Sequence, residues 1–252
     1  MRSDTSDPEE IERFNQLAAT WWNTGGPMWP LHLLNRFRVR LILQVLAQQG
    51  LVDPDSEHPL GGFTALDIGC GGGILSEALS KLGAKVTGLD MAEKNIVIAR
   101  QHATENNLDI RYLCQEVASL DEQFDLVFNM EVVEHVADVD SFMAASCERI
   151  QPEGMMFLST INRTWKSYLF AILGAEHVLK LLPKGTHQWS KFVPPHHIGA
   201  ILAHHGLDTV WRTGVSLNPF TKHYSSTNSM AVNYMVAARK GGQTHHGSTT
   251  GI

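Results

Sequence analysis

Basic residues are in short supply in this chain, which sets 20 Lys and Arg against 26 Asp and Glu for a formal net charge of −6 over 252 residues. A phosphate backbone is bound chiefly through cationic contacts, so no nucleic-acid partner is expected. Cysteine is scarce too. Cys70, Cys114 and Cys147 stand far apart, which leaves neither a disulfide framework nor a paired-cysteine metal site and fits a reducing compartment. There is no run of about eighteen uncharged apolar residues, so no segment is expected to span a membrane. The beginning of the sequence lacks the apolar stretch of a secretory signal, and Asp4, Asp7, Glu9, Glu10 and Glu12 make it too acidic for a transit peptide. What the chain does have is a hydrophobic fraction of 43%, enough for one good core in an α/β domain of ordinary size.

The densest signal is Leu66-Asp67-Ile68-Gly69-Cys70-Gly71-Gly72-Gly73, after which Ile74, Leu75, Ala78 and Leu79 resume at helical spacing. This reads as a strand, a tight loop and a helix, with glycine where a loop needs positive φ or lets a ligand approach its backbone. No Gly-Lys-Ser/Thr follows, so it is not a P-loop, and Ile74 stands where a dinucleotide fingerprint needs its third glycine. A second strand ends at Asp90, about twenty residues on, where a carboxylate can accept hydrogen bonds from both hydroxyls of a ribose. Together these resemble motif I and the acidic loop of class I S-adenosylmethionine (SAM) methyltransferases. Gly69, Gly71 and Asp90 are the implied cofactor residues. The plain alternative is a glycine-rich turn with no ligand.

Asp7-Pro8-Glu9-Glu10 has the form of an N-cap followed by proline at the first helical position, and Ile11, Phe14, Leu17 and Trp21 follow at helical spacing. A second helix is expected over 31–48, then a polar linker over 53–62. From there strands near 64–68, 86–89, 110–114, 124–129 and 155–159 alternate with helical stretches, which implies a parallel sheet covered on both faces. Two later strands, 207–213 and 232–238, give the antiparallel edge of a Rossmann-like class I methyltransferase fold: α/β, seven-stranded, mostly parallel, with helices on both faces. The expected organisation is a helical cap and linker over 1–62, a methyltransferase domain over 63–240 with an amphipathic insertion near 163–191, and a disordered tail over 241–252.

Ligands of open parallel sheets lie beyond the carboxyl ends of the strands, and the fourth strand ends in Asn129-Met130-Glu131-Val132-Val133-Glu134-His135. The Asp/Asn-Pro-Pro-aromatic motif of amino-directed nucleic-acid methyltransferases is missing. Glu131, Glu134 and His135 are spaced i, i+3, i+4, so one helical turn would put two carboxylates and an imidazole on a common face. Such a set suits Mg²⁺ or another divalent cation. Equally, acids gather at a helix N-terminus for dipole reasons alone. Arg38 is the choice for the carboxylate of SAM, since guanidinium grips carboxylates bidentately, although Arg36 and Arg40 share its segment. Met130 stands where a cofactor's adenosine would lie, and is also an ordinary core residue.

Between 163 and 191 five basic residues and one acid surround a broad apolar stripe. A basic amphipathic helix of this kind can lie in a membrane interface, or close over a pocket as a lid, with residues 183–187 as its hinge.

Trp21-Trp22, Leu31-His32, the LDIGCGGGIL and VTGLDM segments, Met130 to His135, Gly174-Ala175-Glu176, PKGTH at 183–187, Asn218-Pro219 and Val232-Asn233-Tyr234 closely resemble the ubiquinone biosynthesis O-methyltransferase family, in order and across nearly the whole chain. The resemblance implies SAM as methyl donor and the phenolic hydroxyls of 2-polyprenyl-6-hydroxyphenol and 3-demethylubiquinol as acceptors. Arg38, Gly69, Asp90 and Met130 fall on the family's SAM-binding positions. Related eukaryotic members are described as metal-dependent through an E-x-x-E-H site, matched here by Glu131, Glu134 and His135. Asn35 stands where a proline is common, and the C-terminal tail is not shared. The implied setting is the cytoplasmic side of the inner membrane, peripherally attached (the matrix face in a mitochondrion), beside other enzymes of ubiquinone synthesis.

A phenol with a pKa near 10 is only about 0.1% ionised at neutral pH, a penalty of about 4 kcal/mol on the nucleophile. A cation could acidify it, or His135 could take the proton. Another small phenolic or lipid acceptor is the alternative substrate. A nicotinamide-dependent reductase would need glycine at position 74, and a non-catalytic membrane adaptor would have no use for the E-x-x-E-H face.

Overall fold

Asp7 caps the first helix as its sequence predicts, its side chain accepting from the Glu9 N–H at 3.1 Å with Pro8 opening the helix. A computed structural model of the chain describes residues 7–26, 28–162, 192–218 and 221–242. The amphipathic insertion and almost all of the expected tail fall outside the described residues. Helix α1 runs Pro8–Leu17, and α2 runs Trp29–Gln48. The alternating segment follows as β1 Thr64–Ile68, α3 Ile74–Lys81, β2 Lys85–Asp90, α4 Glu93–Glu105, β3 Arg111–Cys114, β4 Phe124–Met130, α5 Val139–Glu148 and β5 Ile150–Ile161. Beyond the insertion lie α6 Pro195–His204, β6 Leu207–Asn218, β7 His223–Thr227 and β8 Asn233–Lys240.

The strands form one sheet in the order β3-β2-β1-β4-β5-β8-β6-β7. The first five are parallel; β8, β6 and β7 join antiparallel. Among the described residues the sheet therefore has eight strands rather than the expected seven. The eighth, β7, escaped the sequence reading because an edge strand pairing with β6 alone buries only Tyr224 and shows no apolar alternation.

Side chains alternate across the parallel strands and feed two cores. Leu66, Ile68 and Val127 point to the face covered by α5 and α6, with Phe142, Met143, Ile198 and Leu202. Ala65, Leu126 and Phe128 point to the other, covered by α2 and α3, with Phe37, Ile42, Leu46, Leu75 and Leu79. Phe128 and Phe157 stack there at 5.5 Å between ring centroids, worth about 1 kcal/mol beyond the area they bury. The strand order reverses at β1, between β2 and β4. That reversal opens a crevice at the carboxyl ends of β1 and β4, the place an open α/β sheet offers to a ligand.

Candidate active site

The glycine loop leaves β1 into this crevice. The Cys70 N–H donates to the Leu89 carbonyl at 2.8 Å, tying the loop to β2. Gly69 and Gly71 hold φ of 68° and 54°, where a side chain is strained. A Cβ at Gly69 would also meet Val132 at 2.5 Å, and one at Gly71 would meet the Trp21 ring at 2.5 Å. Beneath the loop, Asp67 accepts from the Ser76 hydroxyl at 2.6 Å. Burial, with the nearby charge of Asp90, pushes the Asp67 carboxyl up to about 7 against the pull of Ser76.

Asp90 closes β2 and faces the same loop. Its Oδ2 accepts from the Gly71 N–H at 2.8 Å, and its Oδ1 accepts from the Ala92 N–H at 2.8 Å and from Asn95 Nδ2 at 3.3 Å. Burial raises this carboxyl while the three donors pull it back. Asn95 in turn accepts from Trp21 Nε1 at 2.8 Å. Trp22 donates to the Gly72 carbonyl at 2.9 Å, and its ring stacks on His102 at 3.4 Å. The segment after α1 thus lies on the glycine loop through both tryptophans.

Arg38 separates itself from Arg36 and Arg40 by burial: it is 4% exposed, whereas the other two face solvent. Its guanidinium pairs with Glu131 and donates to Ser159 Oγ at 2.8 Å. Ser159 donates to Glu131 at 2.9 Å. Glu131 stands just past β4 with φ at 60°, a left-handed conformation that costs a non-glycine residue about 1–3 kcal/mol. Met130, the last residue of β4, is half-buried against the core on the α2 side.

The expected common face is not formed. A short 3₁₀ turn holds only Val133–His135, and the left-handed backbone of Glu131 turns its carboxylate to Arg38. Glu134 is buried and accepts from Thr160 Oγ1 at 2.7 Å. Burial and then the charge of Glu131 push it up to about 7, against His135 and Thr160. His135 turns the other way, its Nδ1 lying 3.2 Å from Glu10 on α1, with the Phe14 ring edge-on at 5.2 Å. Burial works to lower the pKa of this imidazole, but the Glu10 bond and the charges of Glu134, Glu10 and Glu131 outweigh it, and the net direction is up. Each side chain of the expected trio therefore has its own protein partner. Among the described residues no group of three His, Cys, Asp or Glu is placed to hold a metal ion, so the trio does not fit a cation as folded.

The structure brings Gly71 onto Asp90 and Arg38 onto Glu131. It adds residues that sequence reasoning missed: Trp21 and Asn95 behind Asp90, Ser159 and Thr160 at the end of β5, and Glu10 on α1. Trp21 carried a family signal. The others had none: Ser159, Thr160 and Glu10 act through partners distant in sequence, and Asn95, five residues past Asp90, stands in no motif.

A glycine loop bonded to an acid at the neighbouring strand end, over the reversal of a parallel sheet, defines a class. The chain has the Rossmann-like fold of class I SAM-dependent methyltransferases, and residues 66–158 match the family model described as a methyltransferase domain. The solved structure of magnesium protoporphyrin IX methyltransferase from Synechocystis PCC 6803 with bound SAH shares the fold, with a TM-score of 0.60 and 20% identity, over 89% of this chain and 98% of that one. Among relatives, the ubiquinone biosynthesis O-methyltransferase of Brucella anthropi is 46% identical over 239 residues, 94% of this chain and 96% of that protein. The one from Mesorhizobium japonicum is 45% identical over 95% of this chain and 98% of that protein. The chain belongs to the ubiquinone biosynthesis O-methyltransferase family.

Proposed function

We propose that this protein methylates phenolic hydroxyls in ubiquinone synthesis, on 2-polyprenyl-6-hydroxyphenol and 3-demethylubiquinol, with SAM as donor. The observation that carries this reading is the pairing, across one crevice, of the Gly71–Asp90 contact with a half-buried imidazole, His135, beyond the end of β4. SAM supplies a methyl group on a positive sulfur that leaves readily. Asp90 accepts from the ribose hydroxyls, Gly69 and Gly71 admit the ligand to the loop backbone, Arg38 receives the carboxylate and Met130 lines the adenosine.

His135 takes the phenolic proton. The oxygen's electron pair then forms the new bond to carbon as the carbon–sulfur bond breaks and its pair stays on sulfur. Alignment of oxygen, carbon and sulfur is the protein's main remaining task. A divalent cation could acidify the same hydroxyl. Glu131, Glu134 and His135 would be its ligands only after Glu131 had left Arg38 and His135 had left Glu10.

Among the described residues no helix is long and apolar enough to cross a membrane. The lipid acceptor supports peripheral attachment through the basic amphipathic segment at 163–191, on the cytoplasmic side of the inner membrane and in the company of other ubiquinone-synthesis enzymes. Labelled methyl transfer from SAM to a demethylated ubiquinol analogue tests the reading. Turnover on that quinol is expected, and turnover only on another small phenol or lipid would replace the substrate.

A further inference from the structure

Helix α1 carries four acids and bases in its ten residues, and the residue of that helix that is buried is one of them, Glu10, at 5% exposure. Burying a carboxylate is costly unless partners compensate it. Arg13, one turn on, lies at 3.0 Å, but Arg13 could pair equally well on the outer surface. A contact that draws Glu10 inward is the one to His135, 125 residues away.

A carboxylate can only accept, so the 3.2 Å contact places the proton of the neutral imidazole on Nδ1 and leaves Nε2 bare. The Phe14 ring, edge-on at 5.2 Å, backs the same imidazole from the same helix. The 3₁₀ turn that carries His135 is only three residues long and has little means of fixing a ring by itself. We infer that Glu10 is a positioning residue for the reaction, holding His135 by Nδ1 so that Nε2 faces the acceptor hydroxyl, and that the base is complete only when α1 is docked.

The inference rests on the assignment of His135 as base, and a double-mutant cycle separates the two. Methyl transfer to the quinol analogue would be measured for the full-length wild type, Glu10→Ala, Glu10→Gln, His135→Asn and the Glu10→Ala/His135→Asn double variant. His135→Asn is expected to lower kcat by about 10²–10⁴-fold, the range of general base catalysis. Glu10→Ala should lower kcat by about 10–100-fold, as loss of the orienting partner of a functional histidine does, with KM for SAM within about twofold. Glu10→Gln, whose carbonyl still accepts from Nδ1, should recover part of that loss.

The double variant should be no slower than His135→Asn, because Glu10 acts through the imidazole. An equal further loss in the double variant would make Glu10 a structural anchor and overturn the inference. So would Glu10→Ala at wild-type kcat while His135→Asn is crippled. Full activity of His135→Asn would overturn the base assignment and this inference with it. Should Glu10→Ala fail to fold, nitrogen-15 spectra of wild type and Glu10→Gln carry the test. The wild type should show His135 as the Nδ1–H tautomer, and an Nε2–H tautomer would overturn the inference.

Discussion

The two halves of the crevice are built on different plans. Where β1 and β2 end, the Gly71 N–H meets the Asp90 carboxylate only 19 residues away, within one β-α-β unit, and the donor is backbone. Past the end of β4, side chains come from far apart: Arg38 reaches Glu131 across 93 residues, and Glu10 reaches His135 across 125. A backbone cradle constrains its sequence through glycine, because only glycine tolerates its φ and its clearances. A side-chain assembly leaves no local trace, since any helix that passes nearby can supply the partner.

The largest test of this contrast is Asp90→Ala. On the proposed reading it removes the acceptor for two ribose hydroxyls, and each hydrogen bond to a charged group is worth about 1.5–3 kcal/mol, so SAM affinity by calorimetry should fall about 100-fold or more. Unchanged affinity would detach the cradle from the donor. Arg38→Met should weaken SAM binding by about 30-fold, as loss of one charge-assisted contact does. An effect confined to the quinol's KM would move Arg38 to the acceptor side.

Asp67, under the loop, gives a third test through pH. Its carboxyl stands near 7 in the fold against an ordinary 3.8, so between those values the folded chain holds a proton that the unfolded chain has released. Its contribution to stability is therefore full at low pH and is lost as pH rises toward 7. Denaturant midpoints from pH 5 to 7 should show a loss of about 1–2 kcal/mol in wild type that Asp67→Asn removes. An identical slope in both proteins would mean that the loop's underside is wetter than its burial implies. Leu169→Asp with Leu173→Asp should cut co-sedimentation with anionic liposomes by about fivefold. Undiminished pelleting of the folded variant would end the case for docking through 163–191. Trp22→Ala should raise KM for SAM by only about twofold, because its bond to Gly72 supports the loop from outside.

Alternation of apolar strands and helices made the parallel sheet legible, down to the bounds of β1. The polar edge strand β7 was not, because its partner rather than its composition makes it a strand. Gly69, Gly71 and Asp90 were legible for the reason the cradle is. Spacing suggested a helical face for Glu131, Glu134 and His135, but spacing assumes helical φ, and Glu131 at φ 60° lies outside that assumption. Glu10 read as a helix-opening acid, a role that residues of its kind fill at the surface. Nothing in its neighbourhood announces that it points inward.

The left-handed turn at Glu131 also bears on what happens between catalytic cycles. With Arg38 as the seat of the donor's carboxylate, each departing product would strand a buried guanidinium without a counter-charge, and such a charge is strongly destabilising. In the structure Glu131 supplies that counter-charge. The strain of its backbone, about 1–3 kcal/mol, is smaller than the cost of a bare buried cation, so the empty enzyme can idle intact. On that proposed role of Arg38, an incoming donor would have to displace the Glu131 carboxylate, trading some affinity for easy release of the spent donor.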